Sequence, residues 1–268
     1  MQIVTLTTDW GISDHYVGAV KGKLYSTIDD CNVVDITHQI NKFDIMQGAF
    51  IVRNACLSFP KSTIHIIDVH CSENTQKQFQ HVVIKYDDQY FICTDNGMPS
   101  LIFEGLEVQE IIGITNVFQE SNYYTFSAFD LFCKVAALIS YNSNIEEFGY
   151  KIDSFVKRNP TNATIYSDSI LCTVFHIDSY GNIFLNITID EFTKCITNKK
   201  FELKMEGFTI NTISHAYDNV RENTPVLTVS STNHLQLAIN KGNASALLGL
   251  NEGSPITIKI SNQKSSQK

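Results

Sequence analysis

The stretch IVTLTTDWGISDHYVGAVKGKLYSTIDDCNVVDI, residues 3–36, holds the repeating unit of the N-terminal half of the chain. Its apolar run Ile3-Val4-Thr5-Leu6 reads as a strand. Val17, Val20, Leu24 and Ile28 then recur at helical spacing from Tyr16 to Ile28, and Val33 to Ile36 is strand-like again. Strand, helix, strand implies parallel neighbours joined by a crossover. The pattern continues: Asp44 to Phe59 carries Ile45, Ala49, Val52 and Phe59 at helical spacing, and Ile64–Asp68, Val82–Tyr86, Tyr90–Cys93 and Ile111–Ile114 are further strand candidates. A third amphipathic helix is expected over roughly Ala128 to Ser140. A mostly parallel α/β sheet puts ligand sites beyond the carboxyl ends of its strands, where Asp9 and Asp68 both fall.

After Ser140 the texture changes. The polar, Asn-rich segment YNSNIEEFGYKIDSFVKRNPTNAT reads as an interdomain connection. Beyond it, Ile170–Ile177, Ile183–Ile187, Phe201–Ile210, Val226–Ser230, Leu235–Ile239 and Ile256–Ile260 are strand-like, with one or two short helices between them. The expected organisation is an α/β domain over residues 1–150, a linker over 151–165 and a smaller antiparallel β-barrel domain over 166–268, ending in a frayed SNQKSSQK tail.

Composition narrows the function classes. The 268 residues are 43% hydrophobic and 18% charged, and no apolar run reaches the roughly 18 residues that would span a bilayer. The chain enters a strand directly after Met1, without the features of a secretory leader, so a cytoplasmic, soluble protein is expected. Seven scattered cysteines, with no CxxC and no zinc spacing, read as packed thiols, and no metal or cofactor is expected. The net charge of −8, the lack of a basic block and the presence of only Arg53, Arg158 and Arg221 disfavour nucleic acid and polyphosphate partners. A neutral or cationic small molecule suits the chain better.

Asp9-Trp10-Gly11 after a strand is open to two readings. In one, Asp9 caps a helix and Gly11 supplies a positive φ. In the other, an acid at a strand end grips the vicinal hydroxyls of a ribose, with Asp14 facing a ligand ammonium.

Several local signatures, TTDWGISDHYVGAVKG (7–22), VVDITHQINKFDIMQGAF (33–50), TDNG (94–97), TFSAFD (125–130), HIDSYGNIFLNI (176–187), SHAYDNV (214–220) and LQLAINKGNASALLGL (235–250), occur in one order along almost the entire chain. In that order and spacing the chain resembles the S-adenosylmethionine (SAM) hydroxide adenosyltransferases, relatives of the fluorinating and chlorinating SAM halogenases. The resemblance implies a homotrimer with SAM between the N-terminal domain of one subunit and the C-terminal domain of its neighbour. It implies that Asp9 holds the ribose hydroxyls, Asp14 the methionine ammonium, and that Trp10 and Phe126 wall the pocket. In the C-terminal domain, Asp178 and Ser231 resemble methionine-end contacts, Asn182 the adenine reader, and Tyr180 and Phe184 stacking walls. HIDSYGNIFLNI also reads as a plain hairpin turn.

Hydrolysis of SAM at C5′ to adenosine and methionine is the implied reaction, with an Asp, an Arg and a His preparing the water. Asp68 matches the Asp. No arginine occurs between Arg53 and Arg158, and TFSAFD places Ser127 at the His position and Phe129 at the following Arg, with Asp130 retained. Asp68 with Ser127 is therefore the expected water-handling pair, with His70 as a stand-in or a simple loop imidazole. The alternatives are a SAM- or adenosine-binding protein without turnover and, third, a halide-using enzyme. The remaining histidines, His15, His38, His65, His81, His176, His215 and His234, show no metal spacing, and His38 reads as structural.

Overall fold

Residues 1–71, 80–117, 125–205 and 207–262 are described by the computed structural model, in which the chain divides into two units, Met1–Pro160 and Thr161–Lys268. In the first, β1 (Gln2–Thr8) pairs in parallel with β2 (Cys31–Thr37) on one side and β3 (Ile64–Asp68) on the other, through the crossover helices α1 (Tyr16–Thr27) and α2 (Ile45–Cys56). Asp44 starts α2 by accepting the N–H groups of Met46 and Gln47, both at 3.0 Å. The chain then forms a hairpin of β4 (His81–Tyr86) and β5 (Gln89–Thr94), with β5 parallel to β3. Asp87 and Asp88 both take positive φ (47° and 56°), which fits a two-residue hairpin turn matched to the strand twist. After α3 (Met98–Ile102), β6 (Glu110–Ile114) and β7 (Gly149–Lys151) complete the order β2-β1-β3-β5-β4-β6-β7. Only β4 and β7 oppose the common direction, so the sheet is mixed but mostly parallel.

Strand alternation sorts the core into two layers. Val4, Leu6, Ile64, Ile66 and Ile92 pack with Val20, Leu24 and Phe132 on one face. Ile67, Val82, Ile84 and Phe91 pack with Ala49, Val52 and Met98 on the other. Covered on both faces, these strands lose the period-two signature and read as apolar runs. The helix expected from Ala128 opens as a π-helical turn, Ala128–Phe132, which carries Ala128, Leu131 and Phe132 into the core, before α4 (Cys133–Ser140). Within the expected linker, Ile152 N–H donates to the Ile111 carbonyl (2.9 Å), Val156 N–H to the Asp95 carboxylate (3.0 and 3.1 Å) and Arg158 N–H to Ser100 Oγ (2.9 Å), all inside the first unit.

The second unit is antiparallel throughout. The strands are β8 (Thr164–Ile165), β9 (Ser169–Ile177), β10 (Ile183–Thr188), β11 (Lys199–Met205), β12 (Phe208–Ile210), β13 (Pro225–Val229), β14 (His234–Ile239) and β15 (Pro255–Asn262). They follow the order β12-β11-β15-β9-β10-β14-β13, with β8 on β9. Ser214 N–H donates to the Leu227 carbonyl (2.8 Å), joining the segment after β12 to β13 and nearly closing the barrel. Short helices α5 (Ile189–Cys195) and α6 (Ala244–Leu248) flank it. Two expectations are corrected. Phe201–Ile210 is a hairpin rather than one strand, turning at Gly207 with φ 77°. Ser261 and Asn262 pair with Lys200 and Lys199 instead of fraying, while residues 263–268 lie outside those described. No helix among the described residues is long and apolar enough to cross a membrane.

β7 tests the packing of this frame. A Cβ built on Gly149 would lie 1.8 Å from the Gly113 carbonyl oxygen on β6, a backbone atom that cannot swing away. Gly149→Ala is expected to lower stability by about 1–3 kcal/mol, the usual cost of overpacking. The urea midpoint should fall with the slope unchanged; an unmoved midpoint would show that β7 is free to slide.

Candidate functional site

The parallel β1–β3 ladder brings the two sequence-expected acids together. Thr8 is in register with Asp68, and the Asp9 N–H donates to the Asp68 carbonyl at 3.3 Å. Both carboxylates end at the sheet's carboxyl edge and are 7% exposed. They line a cavity of about 380 Å³ that also receives Trp10, Asp14, Phe126, Ser127 and His70. Every residue expected from the N-terminal half to act on a ligand is thus gathered in one place. Asp14, beyond the Gly11 turn, is exposed at its rim.

Asp9 is held by strained backbone. Its Oδ2 accepts the N–H groups of Phe43 (2.9 Å) and His70 (3.2 Å), and both donors have left-handed φ, 67° and 51°. Bulky residues take that conformation at a cost of about 1–3 kcal/mol, so the surrounding structure must enforce it. Lys42 Nζ donates to the Asp9 carbonyl, which ties the loop before α2 to the end of β1. His70 therefore serves Asp9 through its backbone, and its ring meets Phe43 edge-on at 5.4 Å.

Asp68 is held differently. Cys71, Trp10 and the Ala128 backbone N–H, at the first residue of the π-turn, each favour its charged form. Burial, reinforced by the charge of Asp9, nevertheless pushes Asp68 up from 3.8 to about 7. Burial, then the charge of Asp68, raises the Cys71 thiol well above its usual 9.0, and its Sγ lies 3.9 Å from the Ile67 carbonyl. Ser127, 3% exposed, immediately precedes the π-turn and lines the cavity.

Aromatic rings form the wall. Phe126 meets Trp10 and Tyr16 edge-on, with centroids 5.2 and 5.0 Å apart. His38 stacks under Trp10 (6.3 Å, 11° between planes), contacts Thr8 Oγ1 through Nδ1 (2.9 Å) and Asp35 through Nε2 (3.1 Å), and accepts the Gly11 N–H at its carbonyl (2.6 Å). It props the Asp9–Gly11 loop from below. Lys42, Phe43, Tyr16, Cys71 and Thr125 line the same cavity but are not singled out by the sequence. Their signal lies in position alone, next to quoted motifs.

In the second unit, Asp178 closes the β9–β10 turn. Its Oδ1 accepts the N–H groups of Tyr180 and Asn182, and its Oδ2 accepts Asn182 Nδ2, all at 2.9 Å. Asn182 keeps its other amide hydrogen and its oxygen for a partner. Gly181, at φ 80°, leaves no room for a Cβ, which would fall 2.2 Å from the Asn243 side chain. Tyr180 is 77% exposed, whereas Phe184 is buried against Phe175 and His176, so their roles as walls differ. Tyr217, which sequence reasoning missed, donates to Gln236 Oε1 (2.8 Å), and burial followed by the charge of Asp178 raises its hydroxyl above 10.0. Ser231 is not brought to this group. Its exposed turn lies at the Thr188–His234 end of the β10–β14 ladder, opposite the Ile183–Leu237 end where the Asp178 turn lies.

Comparison with known proteins bears on the whole chain. Residues 4–149 match the SAM hydroxide adenosyltransferase N-terminal domain and residues 172–257 the C-terminal domain of the same family. A relative named (R)-S-adenosyl-L-methionine hydrolase, from Methanocaldococcus jannaschii, is 32% identical over 201 residues, covering 72% of this chain and 70% of its own. A protein named fluorinase, from Actinopolyspora mzabensis, is 23% identical and covers 96% of both chains. Among solved structures, an uncharacterized conserved protein from Thermotoga maritima superposes with a TM-score of 0.83 at 27% identity, covering 96% of this chain and 99% of its own.

The raised Asp68 has a signed consequence for stability. The folded acid keeps its proton up to about 7, whereas the unfolded one releases it near 3.8. The folded state therefore binds more protons across that window, and this group's contribution to stability falls as pH rises through it. Asp68→Asn should gain thermal stability relative to the parent on going from pH 4 to pH 8, by on the order of a few kcal/mol. Melting temperatures of the two proteins across that range check this; a constant difference would contradict the raised value.

Proposed function

The chain belongs to the SAM hydroxide adenosyltransferase family, and we propose that it is an enzyme that binds SAM and hydrolyses it at C5′ to adenosine and L-methionine. The observation that carries this reading is the pair of buried acids, Asp9 and Asp68, set side by side in a cavity walled by Trp10, Tyr16 and Phe126. Carboxylates and aromatic faces suit a sulfonium, and a buried cavity strengthens its attraction to a nearby carboxylate. Asp9, with two backbone donors on Oδ2, retains acceptor capacity for the two ribose hydroxyls. Asp14 at the rim suits the methionine ammonium.

In the reaction, the oxygen of water forms a bond to C5′ while the C5′–S bond breaks and its electron pair goes to sulfur. The sulfonium leaves as the neutral thioether of methionine, which needs no proton. The water proton passes to Asp68 and then to solvent, so Asp68 must be ionised beforehand. On this reading Ser127, buried and lining the same cavity, holds the same water. Because the essential base titrates near 7 in the free protein, kcat/KM should rise through that pH to a plateau. The Asp178–Asn182 turn of the second unit supplies the proposed adenine and methionine-end contacts, and a homotrimer sharing its pockets between subunits belongs to the same proposal.

A SAM-binding protein without turnover is favoured by one feature. Among the described residues, the basic side chains lining the cavity are Lys42, which is engaged with the Asp9 carbonyl, and His70, so water activation there rests on few groups. A halide-using enzyme is the third reading.

Incubation of purified protein with SAM in water, chloride and bromide separates the three. Adenosine and methionine are expected, and Asp68→Asn should slow their formation by about 10²–10⁴. A 5′-halogenated adenosine would indicate halide transfer, and bound SAM recovered intact would indicate a binding protein. Asp9→Ala should raise the SAM dissociation constant roughly 10- to 100-fold, the loss of a charged hydrogen-bond acceptor. Calorimetry giving a value within twofold of the parent would remove Asp9 from the ribose site.

A further inference from the structure

The corner that follows β5 is anchored in an apolar layer of the sheet. There Asn96, 2% exposed, precedes by two residues Met98, which packs in one buried cluster with Val69 from the segment after β3. The Met98 N–H donates to Asn96 Oδ1 (3.0 Å), and the Asn96 backbone N–H donates to the Thr94 carbonyl (2.9 Å). A backbone N–H can only donate, so the first of these contacts identifies the oxygen end of the amide. The other end, Nδ2, carries two hydrogens and lies 3.0 Å from the Val69 carbonyl and 3.2 Å from the His70 carbonyl. Carbonyls only accept, which sets the direction of both bonds.

The Val69 carbonyl and the His70 N–H belong to one peptide unit, and it is trans. The two groups therefore point to opposite sides. One side receives Asn96, and the other delivers the His70 N–H to Asp9 Oδ2 at 3.2 Å. Hydrogen bonds in such a chain polarise one another, so the bond to the carbonyl strengthens the N–H as a donor. The second bond bears on the backbone between the two peptides. Consecutive carbonyls point the same way in helical conformations and opposite ways in extended chain, so one nitrogen that reaches both holds His70 in its left-handed form, φ 51°. An asparagine that served only to start α3 would need its oxygen and not these two hydrogens.

We propose that Asn96 is a positioning residue for Asp9, acting through the Val69–His70 peptide to present the His70 N–H to Oδ2 and so aim the rest of the carboxylate into the cavity. This rests on the reading of Asp9 as the acceptor of the ribose hydroxyls. The Phe43 N–H holds the same oxygen from the segment before α2, at 2.9 Å. Rotation of the carboxylate would break both bonds, so its ligand-facing edge is placed only as well as the two peptides that hold it.

The test is a double-mutant cycle read by calorimetry of SAM binding. Asn96→Ser keeps a hydroxyl that can accept from the Met98 N–H but is too short to reach the two carbonyls. In the parent background it should raise the SAM dissociation constant about 3- to 10-fold, the usual weight of one hydrogen bond. In an Asp9→Ala background it should raise it no further. Equal increases in the two backgrounds would overturn the proposal, because a residue that served the fold alone would weaken binding independently of Asp9. The His70 amide proton gives a second readout, by nitrogen-edited NMR of substrate-free protein. Donation to a carboxylate shifts an amide proton downfield, so both Asn96→Ser and Asp9→Ala should move it upfield; a signal unmoved in Asn96→Ser would also overturn the proposal. Should Asn96→Ser fail to fold, Asn96→Asp, equal in size and lacking both hydrogens, replaces it in both measurements. Failure of the ribose reading would appear separately, as an Asp9→Ala protein that binds SAM as tightly as the parent or a parent that binds none, and the His70 signal then decides whether Asn96 acts on Asp9.

Discussion

The parallel register of β1 with β3 is the constraint on which the site depends. With Thr8 opposite Asp68, the last paired residue of β3 and the residue after the last paired one of β1 emerge at one edge, and two carboxylates are forced into the same buried volume. Two like charges there are unfavourable, and burial makes each more so. The fold answers with separate donor sets. Asp9 receives backbone N–H groups from the segments before α2 and after β3, whereas Trp10, Cys71 and the Ala128 backbone favour the charged form of Asp68. The segments before α2 and after β3 are thereby pinned to one side chain.

The left-handed residues follow from this arrangement. Phe43 and His70 could relax to ordinary backbone only by withdrawing their N–H groups from Asp9, which would leave a buried carboxylate short of donors. The cost of two strained residues and the cost of an underdonated acid are of similar size, a few kcal/mol each. Loop conformation and acid are therefore mutually dependent. His38 serves the same end from beneath, since its ring, its Nδ1 and its carbonyl all bear on residues 8–11.

The alternation of apolar runs with helix-spaced segments made the first unit's order legible, and with it the shared edge of Asp9 and Asp68, because a parallel sheet leaves few places for strand ends. Other features had no local signature. Nothing in the letters of Phe43 or His70 signals a positive φ, which is usual for Gly and Asn. The contact of His81 with Thr94 depends on which residue of β4 faces which residue of β5, and that register is set by the Asp87-Asp88 turn. The separation of Ser231 from the Asp178 turn is equally invisible in the sequence: the resemblance pairs them as methionine-end contacts, and the β10–β14 ladder, irregular between Phe184 and Thr188, sets them at opposite ends. The Phe201–Ile210 run hides a hairpin because its turn contributes a single glycine, Gly207, to the pattern.

The protonation of Asp68 links the acid to substrate binding on the proposed reading. Burial lifts the acid from 3.8 to about 7, so near neutrality it is balanced between forms. A sulfonium about 4 Å away would contribute roughly 4 kcal/mol of attraction at the effective dielectric of partly buried sites. That is on the order of three pKa units, enough to offset the burial and ionise the acid as the cation arrives. The base would then be only about half ionised near neutrality without substrate, and charged when the substrate demands it.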